Sequence, residues 1–509
     1  MKKKLLGMLL VAVLVVCLFF IGSGVVLMLA PGAEIFGIRY VSADVRAFTD
    51  SKSLDLDEVK DIYICSDTVK VNITYTNKYN SSVSFCQNFQ GFTKTEYDEA
   101  SLNVYVDSEK NLHIETKEMQ KWVYGNNESS NNFLNIELAS IYAMNRSLNV
   151  YSNSGDITIN GDATYKTFTV QTDKNLVITD SIKADDVEIS LGNSVNIDNK
   201  ISAINYKLKS TGGGVNVTND VVGDLVAQTK GGDIRFVSCN NLTASTGGGS
   251  VRAYGEGFNT VRQSANIKTR GGDVYLGNVS TEKQNALCEV KSVSGDIYIN
   301  AMKDGNITSD RGEILIDTAR AIIVNTKVGT ANVKTIEEQI VVNGRNSDVF
   351  LGENGSVNHA KVYTTTGKIK VSNTSGEVDL TSKHSSITLN NLSSEKINIY
   401  AGRAFTGENL KGEVTVYANG NINMNFAAIT KDVTVSTGTK SNNVNINAGE
   451  TSYLDVDYDL WSTKGKVASV YTGEELLDEG IKIKTEAKEG KNLIKVKTSY
   501  AVIKLTLKI

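Results

Sequence analysis

The chain has 509 residues, of which 40% are apolar, 22% charged and 7% aromatic, with 43 glycines and a single proline, Pro31. So much apolar material excludes wholesale disorder, and one proline excludes collagen-like sequence and proline-rich stalks. Fifty-three basic against 57 acidic residues leave a net charge of −4, spread without long runs of one sign, which excludes broad polyanion binding and with it nucleic acid.

In chain order, the first element is a membrane anchor. Lys2, Lys3 and Lys4 precede an uncharged run from Leu5 to Ala30, 26 positions in all. As a helix this run spans roughly 39 Å, more than the ~30 Å of a bilayer core. A cleaved signal peptide carries an apolar stretch of only about 7–15 residues, and Met28-Leu29-Ala30 is a poor cleavage site. A lipoprotein cysteine is the third reading of this segment. Cys17 sits mid-run after Leu14-Val15-Val16, where a small residue is expected, which weighs against it. The lysines therefore stay in the cytoplasm, and everything after Pro31 is expected outside it, in a single-pass arrangement. Whether the cell has one membrane or two is open.

Residues 31–147 carry short alternating strands without regular glycines. Ile62-Tyr63-Ile64, Val69 to Ile73, Leu102 to Val106 and Leu112-His113-Ile114 are the clearest. They are expected to form an irregular β head that caps the next region, since an uncovered solenoid end exposes a sheet edge.

From 148 to 450 the chain repeats itself. A glycine or other turn residue and a polar residue precede an apolar-polar-apolar triplet. Examples are Gly155-Asp156-Ile157-Thr158-Ile159, Gly232-Asp233-Ile234-Arg235-Phe236, Gly272-Asp273-Val274-Tyr275-Leu276 and Gly295-Asp296-Ile297-Tyr298-Ile299. From 155 to 367 the anchors recur at 19, 19, 20, 19, 17, 23, 23, 17, 17, 18 and 20 residues. This near-constant period, about 19, is that of a solenoid. Beyond 367 the anchors Gly376, Ser385, Gly412 and Gly420 come closer, as if marking half-turns. A second alternating strand such as Tyr206 to Ser210 lies between anchors, so each repeat reads strand, bend, strand, turn. The expected fold is all-β: a right-handed parallel β-solenoid, or β-helix, with β caps, plus the N-terminal transmembrane helix. At ~4.8 Å per coil, some fifteen coils would make a rod roughly 70 Å long. Glycine is expected at the bends for positive φ and close packing, and recurrent Asn and Thr for side-chain ladders. Proline is absent because interior strands donate N–H groups to both neighbours. Residues 451–509 break register around Trp461, then resume a repeat-like pattern from Leu493 to Leu505, which reads as a closing cap.

The stretches LNIELASIYAMNRSLNVYSNSGDITI, KTRGGDVYLGNV, KSVSGDIYIN and TTTGKIKVSNTSGEVDL together resemble the bacterial putative-adhesin family, a membrane-anchored β-solenoid domain of unknown function. The resemblance covers roughly 45–509 and departs in one respect: family entry strands commonly carry a proline near Leu138-Ala139, absent here. It implies a membrane-tethered, non-enzymatic surface protein and transfers no catalytic residue. Some family members are associated with envelope-stress systems, which implies an alternative as a scaffolding module contacting other membrane proteins.

Little in the chain points to chemistry. Gly-Gly-Asp at 231–233 and 271–273 lacks the second glycine and aspartate of calcium-binding nonapeptides. Gly255-Glu256-Gly257-Phe258-Asn259-Thr260 fails as a phosphate loop. A polysaccharide-cleaving β-helix needs clustered carboxylates. Asp156, Asp233, Asp273 and Asp296 could stack at one bend, but read better as turn residues accepting local N–H bonds. No catalytic, cofactor-binding or metal residue is assigned, no cofactor is expected, and the ligand-binding residues stay unassigned. Tyr275, Tyr298 and Tyr363 are candidates to stack on sugars. Cys65 and Cys86 are placed on adjacent head strands, where a disulfide is open, while Cys239 and Cys288 read as buried thiols. His113, His359 and His384 lie far apart and read as ordinary strand residues. The expected partners are the membrane, through the N-terminal helix, and a surface glycan, a surface protein or an envelope membrane protein.

Overall fold

The computed structural model describes residues 13–18, 34–35, 38–94, 100–118, 132–142, 146–254, 259–279, 287–438, 443–452, 454–464, 466–486, 488 and 490–508. The chain is a right-handed β-solenoid with almost no helix. It divides into two compact units, residues 1–213 and 214–509. Of the apolar run from Leu5 to Ala30, residues 13–18 are described and are helical. Among the described residues no helix is long and apolar enough to cross a membrane. Gly255 to Phe258, in the rejected phosphate loop, lie outside the described residues.

In the first unit, coil geometry begins earlier than the glycine anchors suggested. Ile62–Ser66 pairs in parallel with Ser147–Ser152, and Lys70–Thr76 with Ile157–Asn160. The strand Ser147–Ser152 then leads through Ala163–Thr172 and Ile182–Leu191 to Ile201–Ser210, every pairing parallel. The head supplies the closing pieces. The hairpin of Ser101–Val106 and Leu112–Lys117 lies along Ile62–Ser66. Phe133–Ala139 lies along Lys70–Thr76, and the antiparallel strands Ser81–Lys94 and Ile38–Leu54 follow outward from it. The alternation explains the choice of residues: Ile62, Ile64, Val71, Ile73, Leu134 and Ile136 are buried while the residues between them are wetter.

Cys65 lies on the strand Ile62–Ser66 and Cys86 on Ser81–Lys94, which belong to different sheets. The expectation of adjacent strands is therefore corrected: the two are not neighbours, and both thiols are free.

In the second unit the anchors repeat in the expected register. Ile234 pairs with Val251, Val251 with Val274 and Val274 with Ile297. The close anchors beyond 367 do mark half-turns. Gly376 and Gly412 precede the second-strand residues Val378 and Val414, while Ser385 and Gly420 precede the first-strand residues Ile387 and Ile422.

Each coil turns at two corners, built differently. At the corner leading into a new coil, a buried hydroxyl receives the N–H of the residue three further on. Thr269 Oγ1 accepts Gly272 N–H at 3.1 Å, and Ser292 Oγ accepts Gly295 N–H at 2.9 Å. Thr246, Thr364 and Ser152 do the same for Gly249, Gly367 and Gly155. A Cβ on Gly272 would stand 2.0 Å from the Gly249 carbonyl oxygen, and one on Gly295 2.1 Å from that of Gly272. Glycine is required there by the approach of the neighbouring coil. Among the anchors the expected positive φ is found instead at Gly312, Gly329 and Gly412, with φ of 130°, 126° and 127°. At the other corner Asn373, Asn391 and Asn409 adopt positive φ of 53°, 56° and 54°. Their amides form a ladder, Asn391 donating to Asn373 at 3.3 Å and Asn409 to Asn391 at 3.0 Å. A second ladder joins Asn343, Asn325 and Asn306.

The end of the second unit is not laid down in sequence order. Asn492–Thr498 pairs with Val433–Thr437 on one side and Val456–Ser462 on the other. Val502–Lys508 is likewise held between Asn443–Ser452 and Ala468–Thr472. The antiparallel strands Glu475–Gly480 and Lys482–Lys484 close the outer edge.

Candidate functional site

The outward residue of the apolar-polar-apolar triplet forms a column in the second unit: Arg235, Arg252, Tyr275 and Tyr298 on successive coils. Because ladder partners sit about 4.8 Å apart, flat side chains at this position are brought face to face. Tyr275 and Tyr298 stack with centroids 4.8 Å apart and planes 7° from parallel. The Arg252 guanidinium covers the free face of Tyr275 at 4.3 Å. A surface hollow of about 510 Å³ adjoins this column, with Asn300, Leu315 and Asp317 on its wall. Asp317 is paired with Lys334 at 2.6 Å.

The aspartates that precede these triplets share one column, interrupted by Ser250, and the backbone N–H groups they accept come from the next coil and not from their own turn. Asp233 Oδ1 accepts the N–H of Ser250 at 2.9 Å, and Ser250 Oγ accepts that of Asp273 at 3.2 Å. Asp273 Oδ1 then accepts Asp296 N–H at 2.9 Å, and Asp296 Oδ1 accepts Glu313 N–H at 2.7 Å. Each bond spans 17 or 23 residues of sequence. Their second oxygens hold the aromatic column: the Tyr275 hydroxyl donates to Asp273 Oδ2 at 3.1 Å and Tyr298 to Asp296 Oδ2 at 3.3 Å. Burial, then the Asp296 charge, pushes the Tyr298 hydroxyl up to about 12, so it remains a neutral donor. Asp156, in the first unit, accepts both the N–H and the side-chain amide of Asn175. These carboxylates are structural acceptors, tied to backbone.

Of the three tyrosines read from the sequence, Tyr275 and Tyr298 are brought together. Tyr363 stands on the other strand of its coil, paired with Asn343 and Thr381. The arginine cap was not foreseen; its signal was Arg252 occupying the triplet position of Tyr275. Cys239 and Cys288 are buried, which pushes both thiols up to about 12.

The histidines have separate settings. His113 is stacked between Tyr63 at 5.2 Å and Tyr105 at 4.8 Å, with Nε2 2.9 Å from Asp107 Oδ2. Asp107 is held below the usual carboxylate range, chiefly by the Asn111 N–H and next by His113. His359 Nδ1 lies 3.1 Å from the Glu338 carbonyl oxygen, and His384 stands at an exposed bend. Among the described residues no group of three or more His, Cys, Asp or Glu is placed to hold a metal ion.

The sequence profile of the Toastrack family, a domain of unknown function (Toastrack DUF4097), matches residues 59–246. This segment of the chain is similar to the Toastrack family. The Toastrack match takes in Asp233 and Arg235, while Tyr275 and Tyr298 lie on coils that follow it in sequence. The chain is also similar to the crystal structure of a putative cell adhesion protein from Clostridium sporogenes, at 9% identity, covering 60% of this chain and 99% of that one with a TM-score of 0.15. A putative adhesin from Bacteroides fragilis is similar at 14% identity, covering 60% of this chain and 97% of that one with a TM-score of 0.16. None of the curated proteins matches the chain.

Proposed function

We propose that the chain is a non-catalytic, membrane-anchored interaction protein of the adhesin kind, acting outside the cytoplasmic membrane. The observation that carries the reading is the outward column of Arg252, Tyr275 and Tyr298 beside an open hollow. Aromatic faces, a guanidinium and fixed amide and carboxylate groups on a rigid sheet are the equipment of recognition. A non-enzymatic role is supported by the aspartates, whose oxygens accept backbone N–H and tyrosine hydroxyl groups and hold the fold.

Anchoring is supported by the lysine cluster and the uncharged run from Leu5 to Ala30, and by the exposed apolar side chains of Val13 to Val16 and Leu18. A screen of immobilised glycans and matrix proteins with the detergent-solubilised full chain tests the function. We expect a bound class whose signal falls about three- to tenfold with Tyr298→Ala. Binding to neither class, together with crosslinking to another membrane protein, would overturn it. Location is tested by Glu475→Cys in a background with Cys17, Cys65 and Cys86 changed to serine. Glu475 is exposed, so an impermeant thiol reagent should label it in intact cells, or in spheroplasts where a second membrane exists. Labelling only after lysis would sink the extracytoplasmic placement.

A further inference from the structure

The second unit ends in two short strands whose outer edges are open. Among the described residues Glu475–Gly480 has one ladder partner, Ala468–Thr472, and Lys482–Lys484 has one, Val456–Ser462. Each therefore presents backbone N–H and C=O groups with no strand beyond them. The two strands finish opposite faces of the coil. Ala468–Thr472 lies on Val502–Lys508 and so on the first-strand face, while Val456–Ser462 lies on Asn492–Thr498 and so on the second-strand face. Because a coil turns at a corner between its two strands, Glu475–Gly480 and Lys482–Lys484 run in opposite directions, joined at one corner by Ile481. Their charges are also opposite: Glu475, Asp478 and Glu479 on one, Lys482 and Lys484 on the other, all exposed. At the same end Leu476, Leu477 and Ile481 are 52%, 46% and 56% exposed. Three large apolar side chains left half in water on a final sheet edge point to a contact surface.

We infer that this end pairs with the same end of a second copy of the chain, about a two-fold axis parallel to the strands. Such an axis exchanges the two faces of the coil and keeps strand direction. It sets Glu475–Gly480 of one copy antiparallel beside Lys482–Lys484 of the other, and the converse pair forms by symmetry. Asp478 and Glu479 then lie along Lys482 and Lys484 of the second copy, and Ile481 meets its own counterpart near the axis. The other two-fold, perpendicular to the sheet, pairs each strand with itself and sets carboxylate against carboxylate. Charge selects between the two. Charges on an edge strand also keep other chains away. One sign on both strands would serve that end; opposite signs on strands that the axis brings together turn repulsion into attraction. Since Lys482–Lys484 reaches only three residues from the shared corner, Glu475, at the far end of its strand, lies outside the pair. The contact is small, and an affinity in the micromolar range is expected of it.

The test is sedimentation equilibrium of the detergent-solubilised full chain as parent, as Glu479→Lys, as Lys484→Glu and as an equimolar mixture of the two variants. We expect the parent to dimerise and each variant alone to dimerise at least about tenfold more weakly, because each sets like charges together twice. The mixture should return to within about threefold of the parent, because a mixed pair sets opposite charges together in both places. A folding defect cannot produce that recovery. Ile481→Asp should weaken pairing at least about tenfold without loss of thermal stability, since the side chain it replaces is exposed. The inference is overturned if the parent stays monomeric up to about 100 µM. It is also overturned if either charge variant pairs as the parent does, which would place the association elsewhere in the chain, or if the mixture fails to recover. The pairing does not depend on the adhesion reading, and its failure leaves that reading as it stands.

Discussion

The two corners of a coil solve the same geometric problem with opposite tolerance. At the corner running from Thr269 to Gly272 the neighbouring coil comes so close that no Cβ fits, and a buried hydroxyl bonds the turn. At the corner of Asn373, Asn391 and Asn409 the backbone is left-handed, the side chains are exposed, and an amide ladder runs along the outside. The first corner is constrained by space and buried polarity, the second by backbone conformation alone. Substitutions should separate them.

The largest effect is expected for Gly272→Ala, since its methyl group would meet a backbone oxygen at 2.0 Å and the coil must shift. A loss of about 3 kcal/mol in urea unfolding is the expected outcome; a loss under about 1 kcal/mol would mean the coils are looser than described. Next is Thr269→Val, which keeps the shape but strands the Gly272 N–H in a buried corner. It should cost about 1–3 kcal/mol. Smaller again is Asn391→Ala, which places an ordinary residue in the left-handed region at a cost of about 1–2 kcal/mol. Asn391→Gly should restore most of that, staying within about 1 kcal/mol of the parent despite losing the ladder bond. If alanine and glycine behave alike there, backbone conformation does not govern the second corner.

Cys239 and Cys288 provide the read-out for all four variants. Their thiols are held protonated by burial, so alkylation at neutral pH should track unfolding of the second unit. The sign of the pH dependence follows. With folded values raised to about 12 from an ordinary 9.0, this stabilising contribution is complete below pH 9.0 and lost as pH climbs toward 12. Alkylation in the native state at neutral pH would contradict that burial.

The first corner was half legible in the sequence. Its glycines stood out because they recur in register, and the period of the anchors reappears in the strand pairing. Of the two reasons expected for them, close packing holds at Gly272 and Gly295 and positive φ does not, since steric crowding from another coil leaves no local trace that distinguishes it from a left-handed turn. The hydroxyl three residues earlier was equally regular, in Thr246, Thr269 and Ser292, but Ser and Thr are common enough in β sequence to hide. The asparagine corner was visible only as recurrent Asn. In the candidate site, Tyr275 and Tyr298 could be paired from their common place in the triplet. That Tyr363 shares a column with Tyr400 and Tyr417 depends on offsets between ladder partners that vary from coil to coil. The head was least legible, because Ile62–Ser66 finds its coil partner at Ser147–Ser152 only after the intervening hairpin and cap strands are set aside.

The insertion of Asn492–Lys508 between earlier strands bears on the order in which the molecule can be assembled. Within the second unit, a chain emerging N-terminus first can lay each coil on the one before as far as Ser452. Val456–Ser462 comes next in time but has no edge to join, because the strand that lies beneath it has not yet been made. Until Asn492–Thr498 and Val502–Lys508 arrive, the strands Val433–Thr437 and Asn443–Ser452 present open backbone edges, and the sequence just synthesised must wait unpaired. A ribosome stalled near residue 490 would therefore hold a nascent chain whose last finished coil is a template for pairing with another nascent chain.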